Sequence, residues 1–225
     1  MAPGRAVAAL RGGLVVSCQA PPDHPFRSPE LIAAVAACAA DGGAYGLRLE
    51  GAADVRAVRQ RTGLPIIGLR KHFRDGARPL ITSRYADCVE LAGAAADIVA
   101  VEATVESEPD TQFEVLVGRA HAELGVAVMA DVASYAEGIA AWRTGADLVG
   151  TTLAGYTAGT ATVAVPDLEL VSALAADGVR VVLEGNVHEP GQVTEALRRG
   201  AWAVVVGRAV TDPLATTRRF VAALG

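Results

Sequence analysis

Short apolar runs without alternation recur along the chain, separated by longer segments in which apolar residues return at helical spacing. Eight such runs begin near residues 14, 45, 65, 97, 126, 147, 179 and 202. A run of this kind is how a parallel strand covered on both faces reads. Four of them follow one repeated phrase: Gly42-Gly43-Ala44, Gly93-Ala94-Ala95, Gly145-Ala146-Asp147 and Gly200-Ala201-Trp202. In each, the leading Gly is expected just past a helix end, where it takes the left-handed conformation without steric cost. Helix starts are marked between the runs. Ser28-Pro29-Glu30 supplies an N-cap and a first-turn Pro, and Ser134 with Glu137 forms a capping-box pattern. Pro166-Asp167 and Glu189-Pro190 mark two more, and a last helix is expected from about Pro213 to Leu224. Eight strand–helix alternations in 225 residues predict an α/β fold, a (β/α)8 TIM barrel, as a single domain over residues 1–225. A doubly wound open sheet would usually carry a glycine fingerprint after its first strand, and neither GxGxxG nor GxxxxGK[ST] occurs.

The barrel reading directs attention to the residues just past each run, because sites of this fold sit at the C-terminal strand ends. Those residues are polar: Ser17 and Gln19, Arg48 and Glu50, Arg70-Lys71-His72, Glu102 and Thr104, Asp131, Thr151-Thr152, Glu184-Gly185-Asn186 and Gly207-Arg208. Ionisable groups there are costly unless they pair or work. Arg70 and Lys71 are neighbours, so regular pleating sends them to opposite faces. Lys71 is assigned to the barrel mouth and Arg70 to an ion pair outside it. Glu184 follows the apolar Val181-Val182-Leu183, where its pKa would rise and it could exchange protons; it could equally be a structural partner for Arg48 or Lys71. Asp131 is either a site carboxylate or a cap for the next helix. Thr151, Thr152 and Gly155 could donate hydrogen bonds to a ligand or shape their loop. Gly185 and Gly207 fall in the loops after strands seven and eight, where backbone N–H groups commonly hold a phosphate, and Arg208 adds a positive charge.

Composition narrows the function. Net charge is −5 and aromatic residues make up 4%, which speaks against a nucleic-acid surface and gives no attraction to an anionic membrane. No stretch reaches the ~18 apolar residues of a membrane span. Leu14–Cys18 resembles a lipoprotein cleavage box, but Arg11 and Gly12-Gly13 interrupt the apolar stretch before it, so it reads as a buried strand. Three scattered cysteines, Cys18, Cys38 and Cys88, suit a reducing cytoplasm. The four histidines form no ligand pair, so no metal is expected. Lys71 is the only lysine beside 19 arginines. In a chain that otherwise uses Arg, a retained amine points to proton transfer or imine formation, which a permanently charged guanidinium cannot perform.

Together these phrases resemble the N-acetylmannosamine-6-phosphate 2-epimerase family. The resemblance is carried by Gly12–Ala20, Gly42–Arg48, Leu64–Lys71, Met129–Ala133, Gly145–Asp147, Thr151–Thr157 and Glu184–His188, in order over nearly the whole chain. It implies a cofactor-free, ribulose-phosphate-binding type of barrel. The implied reaction interconverts N-acetylmannosamine 6-phosphate and N-acetylglucosamine 6-phosphate in sialic acid catabolism, by removal and return of the proton on C2. By that similarity Lys71 and Glu184 match the catalytic pair, either of which could serve either face. Gln19, Arg48 and Asp131 match sugar-contacting positions, and Thr152, Gly155 and Tyr156 belong to a matching loop. The implied partner is a small phosphosugar, and a homodimer is suggested. The family usually has Arg at the positions of Asn186 and Asp212, Asp at Glu102 and Ser at Ala154. Arg208, where Gly or Ser is usual, could reach the same phosphate from another strand end. A Schiff-base lyase using Lys71 and a non-catalytic sugar-phosphate binder are the competing functions.

Overall fold

A computed structural model describes residues 2–74, 76–107 and 111–224. Helix α1 (Pro3–Ala9) leads into β1 (Gly13–Cys18), α2 (Pro29–Asp41), β2 (Gly46–Glu50), α3 (Ala52–Arg59) and β3 (Ile66–Leu69). A hairpin follows, β4 (Lys71–Arg74) and β5 (Ala77–Ile81), then α4 (Tyr85–Gly93), β6 (Ile98–Glu102) and α5 (Phe113–Arg119), which continues as a π-helical turn over Ala120–Leu124. The chain goes on through β7 (Ala127–Asp131), α6 (Tyr135–Thr144), β8 (Leu148–Gly150), α7 (Leu168–Ala176) and β9 (Val181–Leu183). It ends with α8 (Pro190–Arg198), β10 (Ala203–Val206), the single turn α9 (Arg208–Thr211) and α10 (Pro213–Ala222). Strands β1, β2, β3, β6, β7, β8, β9 and β10 pair in parallel in that order, and β10 returns to β1 to close the barrel. This is the (β/α)8 architecture read from the apolar runs, and the eight strands begin within two residues of the positions those runs mark.

The two faces of each strand part cleanly. Val15, Ile67, Leu69, Ile98, Ala100, Met129, Val182 and Val205 fill the barrel, while alternate residues such as Val16, Leu47, Leu49 and Val99 pack outward against helices. Ala6, Val7 and Leu10 of the N-terminal segment join the inner cluster and plug one end. Burying a side chain the size of Leu10, which is fully covered, contributes about 1.5–3 kcal/mol. Counting onward by twos along the inner face reaches Ser17, Arg48 and Glu50, Lys71, Glu102, Asp131, Thr152, Glu184 and Gly207 at the other end. The fold therefore gathers the polar strand ends at one mouth.

Helix starts follow their capping residues. Ser28 accepts the Leu31 N–H, and Ser134 and Glu137 form a capping box. Asp167 accepts the Leu170 N–H, and Glu189 with Gln192 forms a further box. The repeated glycine phrase behaves less uniformly than expected. Gly145 and Gly200 are left-handed, with φ of 109° and 97°. In the first phrase the left-handed residue is Gly43, one place later than the leading Gly42, and in the second it is Ala95, while Gly93 closes α4 itself. Chain reversal needs one left-handed residue, and hydrogen bonds from Ala94, Ala95 and Ala96 N–H back into the last turn of α4 hold an alanine there. The β4–β5 hairpin is not foreshadowed by the apolar runs because its strands carry His, Arg and Pro.

Candidate active site

The polar mouth surrounds a cavity of about 660 Å³, within the roughly 300–1,000 Å³ of small-molecule sites. Its floor is an ion cluster. Arg48, 1% exposed, gives Nη1 to Asp131 Oδ1 at 3.1 Å, Nη2 to Asp131 Oδ2 at 2.7 Å and Nη1 to Glu184 Oε2 at 2.5 Å. Thr152 Oγ1 lies 2.6 Å from Asp131 Oδ1 and 3.3 Å from Glu184 Oε2. Gly150 makes this packing feasible, since a Cβ there would sit 2.3 Å from the Met129 terminal methyl and 3.2 Å from Asp131 Oδ1. Burial disfavours the Arg48 charge, but Asp131 and Glu184 outweigh it and hold the guanidinium ionised.

Glu184 is placed by its backbone. The buried Thr151 hydroxyl donates to the Glu184 carbonyl at 2.9 Å and accepts the Glu184 N–H at 3.1 Å. Burial, with the Asp131 charge adding to it, pushes the Glu184 carboxyl up from 4.5 to about 7 against the opposing pull of Arg48. Its Oε2 is held by Arg48, whereas Oε1 has no hydrogen bond among the described residues. Lys71 opens β4 and lines the cavity. Burial and the nearby Arg48 charge lower its pKa, with Glu50, Glu184 and Asp131 pulling the other way. Burial thus moves the acid up and the amine down, which brings the two groups closer to a matched proton-transfer pair.

The cavity lining includes Gln19, Lys71, Thr152, Tyr156, Glu184, Gly185, Gly207 and Arg208. Gln19 donates to Ser17 Oγ at 2.8 Å, and its buried amide oxygen is without a partner. Gly185 has φ of 103°, which only glycine adopts without strain, and Asn186 after it is also left-handed and donates to the Tyr156 hydroxyl at 3.3 Å. Arg48, Asp131 and Gly155, expected as ligand contacts, lie outside the lining. The Arg48 Nη atoms and the Asp131 carboxylate are spent on each other and on Glu184 and Thr152, while the buried Arg48 Nε has no partner, and the Gly155 N–H donates to Thr160 Oγ1 at 3.1 Å. Arg70 points to Glu90 at 3.1 Å, the outer ion pair expected of it, though it also borders the cavity.

Several residues at the mouth were not singled out from the sequence. Arg27 bridges Glu50 at 3.1 Å and the buried Asp54 at 2.8 Å, and Arg78 grips Glu102 with both Nη atoms. The signal for Arg78 was the Asp75-Gly76 dipeptide, a strong hairpin turn sequence. Arg27 lies in an irregular loop with no periodicity to mark it. Of the Lys and Arg side chains bordering the cavity, Arg27, Arg70 and Arg78 are paired with carboxylates, while Lys71 and Arg208 make no hydrogen bond or ion pair among the described residues.

A second cavity of about 650 Å³ lies beside α6 and α7. Its ionisable groups are all engaged elsewhere: Tyr135 with Asp177, Asp167 as a cap, and Arg199 with Glu169 and Glu195. Among the described residues no group of three or more His, Cys, Asp or Glu could hold a metal ion, and no helix is long and apolar enough to cross a membrane.

Comparisons with known proteins agree with the geometry. The family model described as "Putative N-acetylmannosamine-6-phosphate epimerase" matches residues 32–225. Two curated relatives carry the description "Putative N-acetylmannosamine-6-phosphate 2-epimerase". One, from Thermosynechococcus vestitus, is 45% identical over 216 residues, covering 96% of this chain and 94% of its own length. The other, from Cutibacterium acnes, is 43% identical over 220 residues, covering 96% and 95%. The solved structure of the N-acetylmannosamine-6-phosphate 2-epimerase from Clostridium perfringens superposes with a TM-score of 0.91 at 34% identity, over 96% of this chain and 95% of that one.

Proposed function

The chain belongs to the N-acetylmannosamine-6-phosphate epimerase family, and from that premise we propose that it is a cofactor-independent 2-epimerase of N-acetylmannosamine 6-phosphate whose Lys71 and Glu184 move the C2 proton. The product is N-acetylglucosamine 6-phosphate, and the reaction belongs to amino-sugar catabolism in the cytoplasm, carried by residues 1–225 as one barrel domain. In the open-chain sugar, the C1 aldehyde acidifies the proton on C2. Neutral Lys71 takes that proton from one face, leaving an enolate whose charge rests on the C1 oxygen. Protonated Glu184 returns a proton to C2 from the other face, and the aldehyde re-forms with inverted configuration. Lys71 is then an ammonium and Glu184 a carboxylate. Exchange of protons with solvent resets the pair, and in the reverse direction the two roles are traded.

One observation carries this reading: among the described residues, the Lys and Arg side chains of the cavity that make no hydrogen bond or ion pair are Lys71, which shares the lining with the half-free carboxyl of Glu184, and Arg208 beside Gly207 in the loop after β10. A phosphosugar needs both, one cation for the phosphate and one amine for C2. Gly185 and Gly207 offer backbone at the phosphate end. Gln19, Thr152 and Tyr156 line the remaining wall, and the bare amide oxygen of Gln19 suits a sugar hydroxyl or the acetamido N–H. Arg48 and Asp131 support Glu184 from below. The homodimer belongs to the same reading and is supported by α10, which buries none of its residues and leaves Phe220 and Val221 exposed. Sedimentation as a monomer would remove it.

The test is proton exchange. Wild-type protein with N-acetylmannosamine 6-phosphate in deuterated water is expected to replace hydrogen at C2, followed by proton NMR. Lys71→Arg is expected to keep the fold by circular dichroism and to lose about 10²–10⁴-fold in exchange rate. Equal rates in the two proteins would overturn the role of Lys71, and a borohydride-trapped adduct on Lys71 would replace epimerisation with imine chemistry.

A further inference from the structure

The Lys71 amine makes no hydrogen bond or ion pair among the described residues, so where it sits depends on the hairpin that carries its backbone. Lys71 is the first residue of β4, and its register partner in β5 is Ile81. At the root, Thr82 gives its N–H to the Arg70 carbonyl at 2.7 Å and accepts the Arg70 N–H on its hydroxyl at 3.0 Å. On one side, His72 Nε2 lies 2.6 Å from Asp87 of α4. On the other side the hairpin meets Glu102, the last residue of β6, which is 3% exposed. Arg78 Nη1 donates to Glu102 Oε2 at 3.0 Å and Nη2 to Oε1 at 2.7 Å, and the Ile81 N–H donates to Oε2 at 3.2 Å. Thr104 Oγ1 donates to Oε1 at 2.7 Å, completing the shell of the carboxylate. Glu102 sits on the inner face of its strand, where a carboxylate could have faced substrate. Its oxygens are spent on the hairpin instead.

We propose that the Arg78–Glu102 pair is a latch that holds β4–β5 against β6 and thereby sets the position of the Lys71 amine, making both residues positioning residues for the proton transfer. The inference rests on the reading of Lys71 as the base. The Ile81 N–H ties the backbone directly opposite Lys71 to Glu102, so a slack latch displaces Lys71 itself and not only the hairpin tip. Arg78, Pro79 and Ile81 also border the cavity, so the same slackening admits water beside the amine. Arg48 and Glu50 on β2, Asp131 on β7 and Glu184 after β9 are the charges that act on Lys71, while Arg27, Arg70, Arg78 and Arg208 border the same cavity. Of these, only Arg78 loses its partner when Glu102 is changed.

The experiment compares wild type, Glu102→Gln and Arg78→Lys in C2 exchange and in the pH profile of kcat. A reacting group displaced by about 1 Å costs on the order of 100-fold in rate. Glu102→Gln is expected to lower kcat by about tenfold or more with KM changed little, and Arg78→Lys is expected to fall between it and wild type. The rising limb of the profile, where Lys71 loses its proton, is expected to move to higher pH by about one unit as the amine is rehydrated. A drop in melting temperature or rate with an unmoved limb overturns the latch, because that is all a structural role predicts. Should Glu102→Gln fail to fold, the double variant Arg78→Met/Glu102→Met removes the pair without stranding a charge, and the same displaced limb is required of it. If Lys71→Arg keeps wild-type exchange, the base reading fails first. If Lys71→Arg is inactive while the latch variants keep the wild-type rate and limb, the latch alone fails.

Discussion

The floor and the rim of the cavity use charge in opposite ways. On the floor, the two Nη atoms of Arg48 are matched to the Asp131 and Glu184 carboxylates with Thr152 beside them, only the Arg48 Nε lacking a partner, and Glu184 keeps one free oxygen. On the rim, Lys71 and Arg208 have no partner among the described residues, and Lys71 is carried by a hairpin outside the barrel ladder. A buried ion cluster is stable only when every charge is matched, so the floor is a rigid base on which a single carboxyl can be tuned. An amine at the rim that forms no ion pair stays available for chemistry, at the cost that burial places on its charge. Floor substitutions should therefore be read in stability, and rim substitutions in rate.

Lys71→Arg anchors the rim end of that contrast, with its loss of exchange and retained fold. Arg48→Met is the strongest test of the floor. It strands Asp131 beneath Glu184 without a cation, and removing one partner of a buried pair costs about 3–5 kcal/mol. Urea unfolding measures it, and a loss below about 1 kcal/mol, the range of ordinary substitutions, would erase the distinction between floor and rim. The finest test uses pH. Burial raises Glu184 from 4.5 to about 7, so the folded protein keeps a proton that the unfolded chain has released. That contribution to stability is present in full below pH 4.5 and is lost as the pH rises through about 7. Lys71 runs the other way: its lowered pKa penalises the folded state at low pH, and the penalty is relieved as the pH rises towards 10.5. Glu184→Gln is expected to flatten the decline in urea-unfolding free energy between pH 4.5 and 7 and to leave the alkaline side alone. A slope equal to wild type would show that the carboxyl is not tuned by its burial.

Much of the site is legible in the sequence because a barrel strand repeats every two residues. Ile67 and Leu69 lead to Lys71, Met129 leads to Asp131, and Val182 leads to Glu184, each on the inner face. Position along that phase says that a side chain reaches the mouth, but not what it finds there. Glu102 and Glu184 are both acidic residues at strand ends on the inner face, yet one is spent on Arg78 and the other keeps an oxygen free. The β4–β5 hairpin went unread for a related reason, since its polar strands lack the apolar run that marks a barrel strand.

The order of residues by itself determined the alternation of strands and helices, the inward phase of the polar strand ends and the presence of one amine among them. These depend on local periodicity, capping and composition, which act over a few neighbouring residues. Only closure of the barrel decided which charges are matched. Arg48 meets Asp131 across 83 positions and Glu184 across 136, and such pairings follow from the ring of strands rather than from any pattern nearby in the chain. Among the described residues at the cavity, what those long-range pairings leave over, Lys71 and Arg208 with one oxygen of Glu184, is free to act on a ligand.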